Sequence, residues 1–219
     1  MKQHNGVPMV MDLNGISNMS EYGTASELDK KILIVCALEV ETQGELDDWD
    51  VLYTGVGKVN ATYALTTHFG KYGSHIPYDL VINYGTAGSR KIKKKTLVDC
   101  TKFVQRDMDV TGLGFMRGET PFEDDIPLML DFGVTKHNPI KRRATCGSGD
   151  SFVEDRTQYY GEVVDMEAYA LAKVCYNRQV PFVSFKYITD GADEQAHEDW
   201  EANLADGIKE FKEQIISRV

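Results

Sequence analysis

Cysteine is scarce and scattered in this sequence. Only four of the 219 residues are cysteine, and none forms a CxxC pair or stands at metal-ligand spacing from a histidine. This usage is typical of proteins from a reduced compartment, so it predicts neither a disulfide framework nor a zinc site. Cys36 and Cys175 lie in apolar runs, and we expect both in the core.

Long apolar runs and excess positive charge are also lacking. No run approaches the ~20 residues that a membrane-spanning helix needs, and residues 1–15 lack the apolar segment of a signal peptide. The formal net charge of −10 argues against general nucleic-acid binding, because most of the surface would repel a phosphate backbone. A short basic cluster, RKIKKK at residues 90–95, is expected to be a solvated loop. We therefore expect a cytoplasmic protein that binds neither membrane nor nucleic acid.

Strand-like segments alternate with helical or turn-rich stretches along most of the chain. The strand candidates are ILIVCA, VLYTGV, LVINYG and FVSFKYI, which are rich in apolar and β-branched residues. Their alternation with helical stretches predicts an α/β fold in which helices cover both faces of a sheet. The length suits one domain, and nothing in the middle resembles a linker. Residues 1–30 show no sustained period, so we divide the chain into an extension of unknown role at 1–30 and a domain at 31–219.

Two isolated carboxylates stand at the ends of elements within residues 163–193. Apolar residues at helical spacing predict a helix whose start carries Glu167, where the helix dipole favours an anion. Pro181 opens a strand-like run that stops at Asp190. Ligands collect outside the carboxyl ends of strands in α/β sheets, so both carboxylates are candidates for acid or base chemistry. The alternative, on spacing alone, is a helix cap and a turn-forming aspartate.

Six segments resemble the nucleoside phosphorylase and nucleosidase superfamily, above all the 5'-methylthioadenosine/S-adenosylhomocysteine nucleosidases. They cover most of the chain from Lys31 onward and occur in the family's order, so together they are more specific than any one of them. The resemblance implies a nucleosidase domain with a central mixed, twisted sheet flanked by helices. The segments are KILIVCALEVET (31–42), YTGVGKVNAT (53–62), VINYGTAGS (81–89), QRDMDVTGLGF (105–115), GSGDSFV (147–153) and VVDMEAYALAKVCYNRQVPFVSFKYITDGAD (163–193).

Cleavage of a purine N-glycosidic bond needs an acid near the base and a carboxylate near the attacking water. By resemblance, Asp190 protonates adenine N7, Glu41 activates water near the anomeric carbon, and Glu167 binds the ribose hydroxyls. Glu39 competes with Glu41, because both follow the first strand and would share a face if that strand continued. The family match favours Glu41. Asp190 can serve as an acid at neutral pH only if burial or a neighbouring carboxylate such as Asp193 raises its pKa.

The other site residues implied by the resemblance surround the base, the sugar and the 5' group. The GTAGS loop is expected along the substrate, where its glycines let backbone amides approach a ligand and leave the threonine hydroxyl free to donate. Phe152 is expected to stack on adenine, although an aromatic residue alone is more often core. The main chain of Val153 reads the adenine edge. The full set is Thr86, Ala87, Gly88, Phe152, Val153 and Met166, with Leu113, Phe115 and Trp200 around the 5' group.

The 5' pocket is where the sequence departs from the family pattern. The usual aromatic pair of the segment that crosses to a dimer partner is here Leu113 and Phe115, and Trp200 replaces the usual phenylalanine of a lid. Residues 118–125 also differ, although Pro121 could still line the pocket. An apolar pocket suits a methylthio group, whereas a 5'-phosphate would want arginine or lysine.

Arg106 is a further departure, because the family more often has an uncharged residue there. We expect Arg106 to pair with Asp107 or Asp109, which are adjacent in sequence. The alternative is that Arg106 reaches an anionic group of the substrate.

The sequence leaves several functions open. A phosphorylase needs cationic donors at the sugar, yet Asn83 stands where phosphorylase relatives commonly carry an arginine, so hydrolysis is favoured. An AMP nucleosidase would recruit Arg106 or residues 90–95. A nucleoside sensor would not require Glu41, Glu167 and Asp190 together. The leading hypothesis is a homodimer that hydrolyses 5'-methylthioadenosine, with S-adenosylhomocysteine or 5'-deoxyadenosine as further substrates, and that needs no metal or organic cofactor.

Overall fold

The computed structural model describes residues 31–133 and 135–219, so the extension predicted at residues 1–30 lies outside the described residues. Within the described ranges, no helix is long and apolar enough to cross a membrane. The strands are β1 Ile32–Cys36, β2 Val51–Tyr53, β3 Leu80–Gly88, β4 Leu97–Gln105, β5 Leu130–Asp131, β6 Ala144–Ser148, β7 Val163–Asp165 and β8 Phe182–Asp190. The helices are α1 Lys58–Gly70, α2 Ala168–Arg178, α3 Ala196–Asn203 and α4 Gly207–Gln214.

The strands form one mixed sheet that bends back on itself. β1 pairs in parallel with β2 and β3, and β3 pairs in parallel with β8. β8 runs antiparallel to β4, β4 is parallel to β6, and β6 is parallel to β7. An antiparallel bridge between Gly88 of β3 and Val164 of β7 closes the ring. This arrangement confirms the prediction of an α/β fold with a mixed central sheet.

Alternate residues of the central strands face two helical layers. Leu33 and Val35 of β1 belong to a cluster with α1 and α2, whereas Ile34 and Cys36 belong to a cluster with α4. Every residue of β1 is therefore buried, as expected for a parallel strand covered on both faces. Cys175 of α2 is buried as well, so the prediction that it and Cys36 lie in the core is confirmed.

Strands β4 to β7 are not among the strand candidates of the sequence. β4 interrupts its apolar pattern with Asp99, which is buried between β6 and β8. The Asp99 carboxylate accepts hydrogen bonds from the side chain of Asn138 and from the main-chain nitrogens of Arg142 and Arg143. A distant loop thus satisfies the buried charge, and this arrangement is invisible to a local pattern. β5 and β7 have only two and three residues.

The first four residues of the GTAGS segment, 85–88, are part of a strand, so the prediction of a loop there is wrong. β3 continues to Gly88 and pairs with β8 as far as Asp190. A β-carbon at Gly88 would lie 2.5 Å from Oδ1 of Asp190, so glycine is what allows the ends of these two strands to approach each other.

Candidate active site

A cavity of about 360 Å³ lies at the carboxyl ends of β1, β3 and β8, between the start of α2 and α3. The three strands are parallel, so the residues that end them meet at one edge of the sheet. This volume lies in the range of small-molecule sites. The cavity gathers four carboxylates with most of the predicted substrate contacts. These lining residues are Glu41, Asp165, Glu167 and Asp190, and Thr86, Ala87, Gly88, Phe152, Val153, Met166 and Trp200.

Glu41 ends a short 3₁₀ turn, Glu39–Glu41, that follows β1. Its Oε1 accepts hydrogen bonds from the main-chain nitrogen of Thr86 at 2.8 Å and from Oγ1 of Thr86 at 2.9 Å. Its Oε2 accepts one from the main-chain nitrogen of Leu38 at 3.2 Å. The turn leaves Glu39 exposed and Glu41 only 4% exposed, so the two do not share a face as a continued strand would require. The hydroxyl of Thr86 is not free as expected, since it also accepts a hydrogen bond from Nε1 of Trp200 at 3.0 Å.

Asp190 is the last residue of β8 and is buried. Its Oδ2 accepts a hydrogen bond from the hydroxyl of Thr189, and its Oδ1 accepts one from the main-chain nitrogen of Ala192, each at 2.9 Å. Burial raises the pKa of Asp190, and the negative charges of Asp199 and Asp193 add to that effect. Burial is thus the main source of the raised pKa, and Asp193 makes a smaller contribution. Asp190 can hold a proton at a higher pH than an exposed aspartate.

Glu167 immediately precedes α2, as its sequence position predicts. Its Oε1 accepts a hydrogen bond from the main-chain nitrogen of Gly57 at 2.8 Å. Burial and the nearby charge of Asp165 raise the pKa of Glu167 to about 7. This carboxyl group therefore titrates near neutrality at the wall of the cavity.

A buried ion pair lies beside these carboxylates. Nζ of Lys186 on β8 is 2.8 Å from Oδ2 of Asp165, and both side chains are almost completely buried. Burial opposes ionisation of both groups, but their mutual attraction raises the pKa of Lys186 and lowers that of Asp165. A β-carbon at Gly85 would lie 3.3 Å from both Nζ of Lys186 and Oε1 of Glu41, so the pair adjoins the Glu41 carboxylate. Lys186 is not among the residues predicted for the site, although a lone lysine in the apolar run FVSFKYI indicates a buried partner.

The comparisons with known proteins identify the family of this chain. The family model described as the phosphorylase superfamily matches residues 42–217. The chain belongs to the phosphorylase superfamily. A 5'-methylthioadenosine/S-adenosylhomocysteine nucleosidase of Haemophilus influenzae (strain PittEE) is 32% identical over 197 residues, which cover 81% of this chain and 84% of that relative.

Solved structures share the fold of this superfamily member. One is a 5'-methylthioadenosine/S-adenosylhomocysteine nucleosidase of Helicobacter pylori in complex with a ligand, with a TM-score of 0.73 and 22% identity over 87% of this chain and 99% of the other. Another is the native futalosine hydrolase of Helicobacter pylori strain 26695, with a TM-score of 0.74 and 22% identity over 87% of this chain and 98% of the other. At such identities the likeness concerns the fold alone, and it does not separate the two activities.

Some of the residues that line the cavity are not among the site residues predicted from the sequence. His197 of α3 lies there with Trp200, and Ser151 precedes Phe152 in the loop after β6. The other missed lining residues are Asp165 and the apolar residues Ala37, Leu38, Val56 and Val164. The apolar ones lie at strand ends and in loops, where a local pattern gives no sign of a ligand.

Leu113, Phe115 and Pro121 do not line this cavity. Leu113 ends a surface turn and is 75% exposed. Phe115 packs edge-on against Phe122, with 5.9 Å between ring centroids, and Phe122 itself is exposed. The predicted contacts of Leu113 and Phe115 with a 5' group are therefore not made within one chain.

The predicted pairing of Arg106 with Asp107 or Asp109 is wrong. Asp107 pairs instead with Nζ of Lys58 at 2.6 Å. Asp109 accepts hydrogen bonds from the main-chain nitrogen and the hydroxyl of Thr111. Arg106 is buried behind the loop after β6 and does not line the cavity, so its position does not support the alternative of a contact with a substrate anion.

The basic cluster at residues 90–95 is more than a solvated loop. Nζ of Lys94 pairs with the carboxylate of Asp199 on α3. Nζ of Lys95 lies 3.3 Å from Oδ2 of Asp206, which precedes α4. These lysines connect their loop to α3, which lies at the cavity, and to the start of α4.

Proposed function

We propose that this chain hydrolyses the N-glycosidic bond of 5'-methylthioadenosine to adenine and the 5'-methylthio sugar. The observation that carries the proposal is the placement of Asp190 and Glu41 on one cavity. Burial raises the pKa of Asp190, which suits a proton donor, and three hydrogen bonds orient the carboxylate of Glu41. The nucleosidase of Haemophilus influenzae, named for this substrate and 32% identical, supports the same activity.

In the proposed reaction, Asp190 donates its proton to N7 of adenine as the bond between the base and the sugar breaks. The bonding electrons leave with the base, and the sugar becomes cation-like. Glu41 accepts a proton from water while the water oxygen bonds to the anomeric carbon. Proton donation and water activation are therefore assigned to two separate carboxylates.

The walls of the cavity suit the rest of a nucleoside. Glu167 is proposed to bind the ribose hydroxyls, and Met166 to pack against the sugar. Phe152 is 39% exposed on the cavity, where its ring is available to stack on a base. The main chain of Val153 is proposed to read the adenine edge.

Hydrolysis is favoured over phosphorolysis by the charge of the cavity. None of the described residues that line it is an arginine or a lysine that could bind inorganic phosphate or a 5'-phosphate. Asn83, at the position where phosphorylases commonly have arginine, lies inside the sheet. Its Nδ2 donates to the carbonyl oxygen of Val35, and its Oδ1 accepts from the hydroxyl of Ser184.

We also propose that the active form is a homodimer in which a second copy completes the 5' pocket. Exposed apolar side chains on α1 and in the segment after β4 supply a surface for such contact. These residues are Val59, Tyr63, Leu113, Met116 and Phe122. Four buried free cysteines, Cys36, Cys100, Cys146 and Cys175, support a place in the reducing cytoplasm, where we propose a role in methionine salvage.

The test is adenine release from purified protein, with and without inorganic phosphate. The substrates are 5'-methylthioadenosine, S-adenosylhomocysteine, 5'-deoxyadenosine and AMP, with futalosine tested for release of its own base. Phosphate-independent release from 5'-methylthioadenosine is the expected result. Release only with phosphate would indicate a phosphorylase, release only from AMP an AMP nucleosidase, and release only from futalosine a futalosine hydrolase. No release from any of these substrates would support a nucleoside sensor.

A further inference from the structure

Arg106 makes its hydrogen bonds to the segment that carries the proposed base-stacking residue. We call residues 149–153, which follow β6, the purine loop. Nη1 of Arg106 donates to Oγ of Ser151 at 3.1 Å, and Nη2 donates to the carbonyl oxygen of Gly149 at 3.1 Å. Nη2 also donates to the carbonyl oxygen of Ser151. The next two residues of the loop, Phe152 and Val153, line the cavity.

The surroundings of Arg106 are unusual for a buried cation. Arg106 is 2% exposed, and its three hydrogen bonds go to neutral oxygens rather than to a carboxylate. Its Nε has no hydrogen-bond partner among the described residues. Burial of a charge without an ion pair is costly, so stability of the fold is a poor explanation for this arginine.

Gly149 provides the space that the guanidinium group occupies. A β-carbon at Gly149 would lie 2.8 Å from Cζ and 2.9 Å from Nη1 of Arg106. Any side chain at this position would therefore displace the guanidinium group. Arg106 and Gly149 are matched in shape as well as by a hydrogen bond.

A second set of contacts holds the middle of the purine loop. Oδ2 of Asp107 accepts a hydrogen bond from the main-chain nitrogen of Asp150 at 2.9 Å. The carboxylate of Asp150 pairs with Nζ of Lys58 at 2.9 Å and accepts from the main-chain nitrogen of Lys58 at 2.8 Å. Three consecutive loop residues are thus anchored, and Arg106 holds the first and the third.

We infer that Arg106 is a positioning residue that holds the purine loop in its base-binding conformation and thereby sets the affinity for the base. The inference rests on the proposed function, because the base is assigned to the purine loop there. Arg106 acts through Gly149 and Ser151 and touches neither the substrate nor the reacting atoms. Its effect is therefore confined to the base half of the cavity, and the sugar half is held by other elements.

The test is calorimetric binding of adenine and of the 5-methylthio sugar to the wild-type protein and to variants. Arg106→Ala should weaken adenine binding about tenfold or more, as expected for the loss of charge-assisted hydrogen bonds, and leave sugar binding within about twofold. Free guanidinium at millimolar concentration should restore adenine binding to Arg106→Ala, whereas methylammonium should not. The matched control is Arg142→Ala, because Arg142 pairs with Glu162 at the surface.

Gly149→Ala keeps the charge and displaces the guanidinium group, so it should reproduce the selective loss of adenine binding. If Arg106→Ala shows no cooperative unfolding transition and is therefore not folded, adenine binding by Gly149→Ala tests the inference instead. Unchanged adenine binding in a folded variant, or an equal loss for adenine and sugar, would overturn the inference. Adenine binding can be measured without turnover. A wild-type protein that binds adenine but releases no adenine from any nucleoside would refute the proposed function and leave this binding test valid.

Discussion

At the scale of single residues, the carboxylates of the cavity are distinguished by their surroundings. Asp190 is buried, with a raised pKa, and accepts two hydrogen bonds from its own chain neighbours. Glu41 accepts three hydrogen bonds, two of them from Thr86. The two carboxyl groups thus differ in their hydrogen-bond partners, in line with the separate roles of proton donor and proton acceptor that we propose for them.

Asp190→Asn is expected to lower kcat for adenine release by ~10²–10⁴-fold, because the amide cannot donate the proton that the leaving base needs. Glu41→Gln should have an effect of similar size. The measurement is steady-state kinetics beside a thermal unfolding scan, in which both variants should remain folded. Asp48→Asn, a change at an exposed carboxylate, is the control. Near-normal activity of Asp190→Asn would show that another group is the proton donor.

Glu167 should make the stability of the protein depend on pH. Its pKa rises from an ordinary value of 4.5 to about 7 in the folded protein. Between these values the folded state retains a proton that the unfolded chain has lost. The free energy of unfolding therefore falls as pH rises through this window, by up to about 3 kcal/mol from this group.

Urea unfolding of the wild-type protein and of Glu167→Gln at pH 5 and pH 8 measures this contribution. The wild-type protein should lose more stability than the variant between the two values. Equal losses in the two proteins would mean that Glu167 does not hold the proton.

At the scale of elements, the junction of β3 and β8 determines where Asp190 lies. Gly88→Ala would place a β-carbon 2.5 Å from Oδ1 of Asp190 and 3.1 Å from Cβ of Ala192. We expect a loss of adenine release of at least about tenfold, together with lower stability, since the strands must separate to admit the methyl group. Gly70→Ala is the matched control, because no atom lies within 4 Å of its added carbon. Wild-type kinetics for Gly88→Ala would show that the junction tolerates displacement.

The ion pair between Lys186 and Asp165 connects β8 to β7. Lys186→Met should lower the free energy of unfolding by about 3–5 kcal/mol, because it leaves a buried carboxylate without its counter-charge. Urea unfolding near pH 7 provides the measurement. Lys102→Met on β4, where the lysine is only half-buried, should cost much less. Equal effects of the two substitutions would contradict a structural role for the buried pair.

At the scale of the whole molecule, the proposed dimer determines whether the 5' pocket is complete. Sedimentation should give a mass twice the 24.6 kDa of one chain. Tyr63→Glu, at an exposed position of α1, should yield monomers and reduce adenine release, because a charge at an apolar interface is unfavourable. Lys209→Glu on α4 should change neither property. A fully active monomeric variant would show that the pocket is complete within one chain.

Local patterns were sufficient to predict the elements that present Glu167 and Asp190. The apolar runs of β1, β3 and β8 and the periodic residues of α2 carry their own signal, because burial on both faces or on one stripe imposes a simple spacing. The positions of Glu167 at a helix start and Asp190 at a strand end follow from those runs. Family resemblance added the choice of Glu41 over Glu39.

By itself, the sequence determined the α/β class and the resemblance to nucleosidases. It also determined the strand that ends at Asp190 and the helix that begins after Glu167. Only the tertiary structure decided which charges meet. Lys186 pairs with Asp165, and Arg106 bonds to the purine loop more than 40 residues away instead of to its neighbours Asp107 and Asp109. A charged side chain meets its partner through the packing of distant segments, and the cost of burial selects among partners that the sequence leaves equivalent.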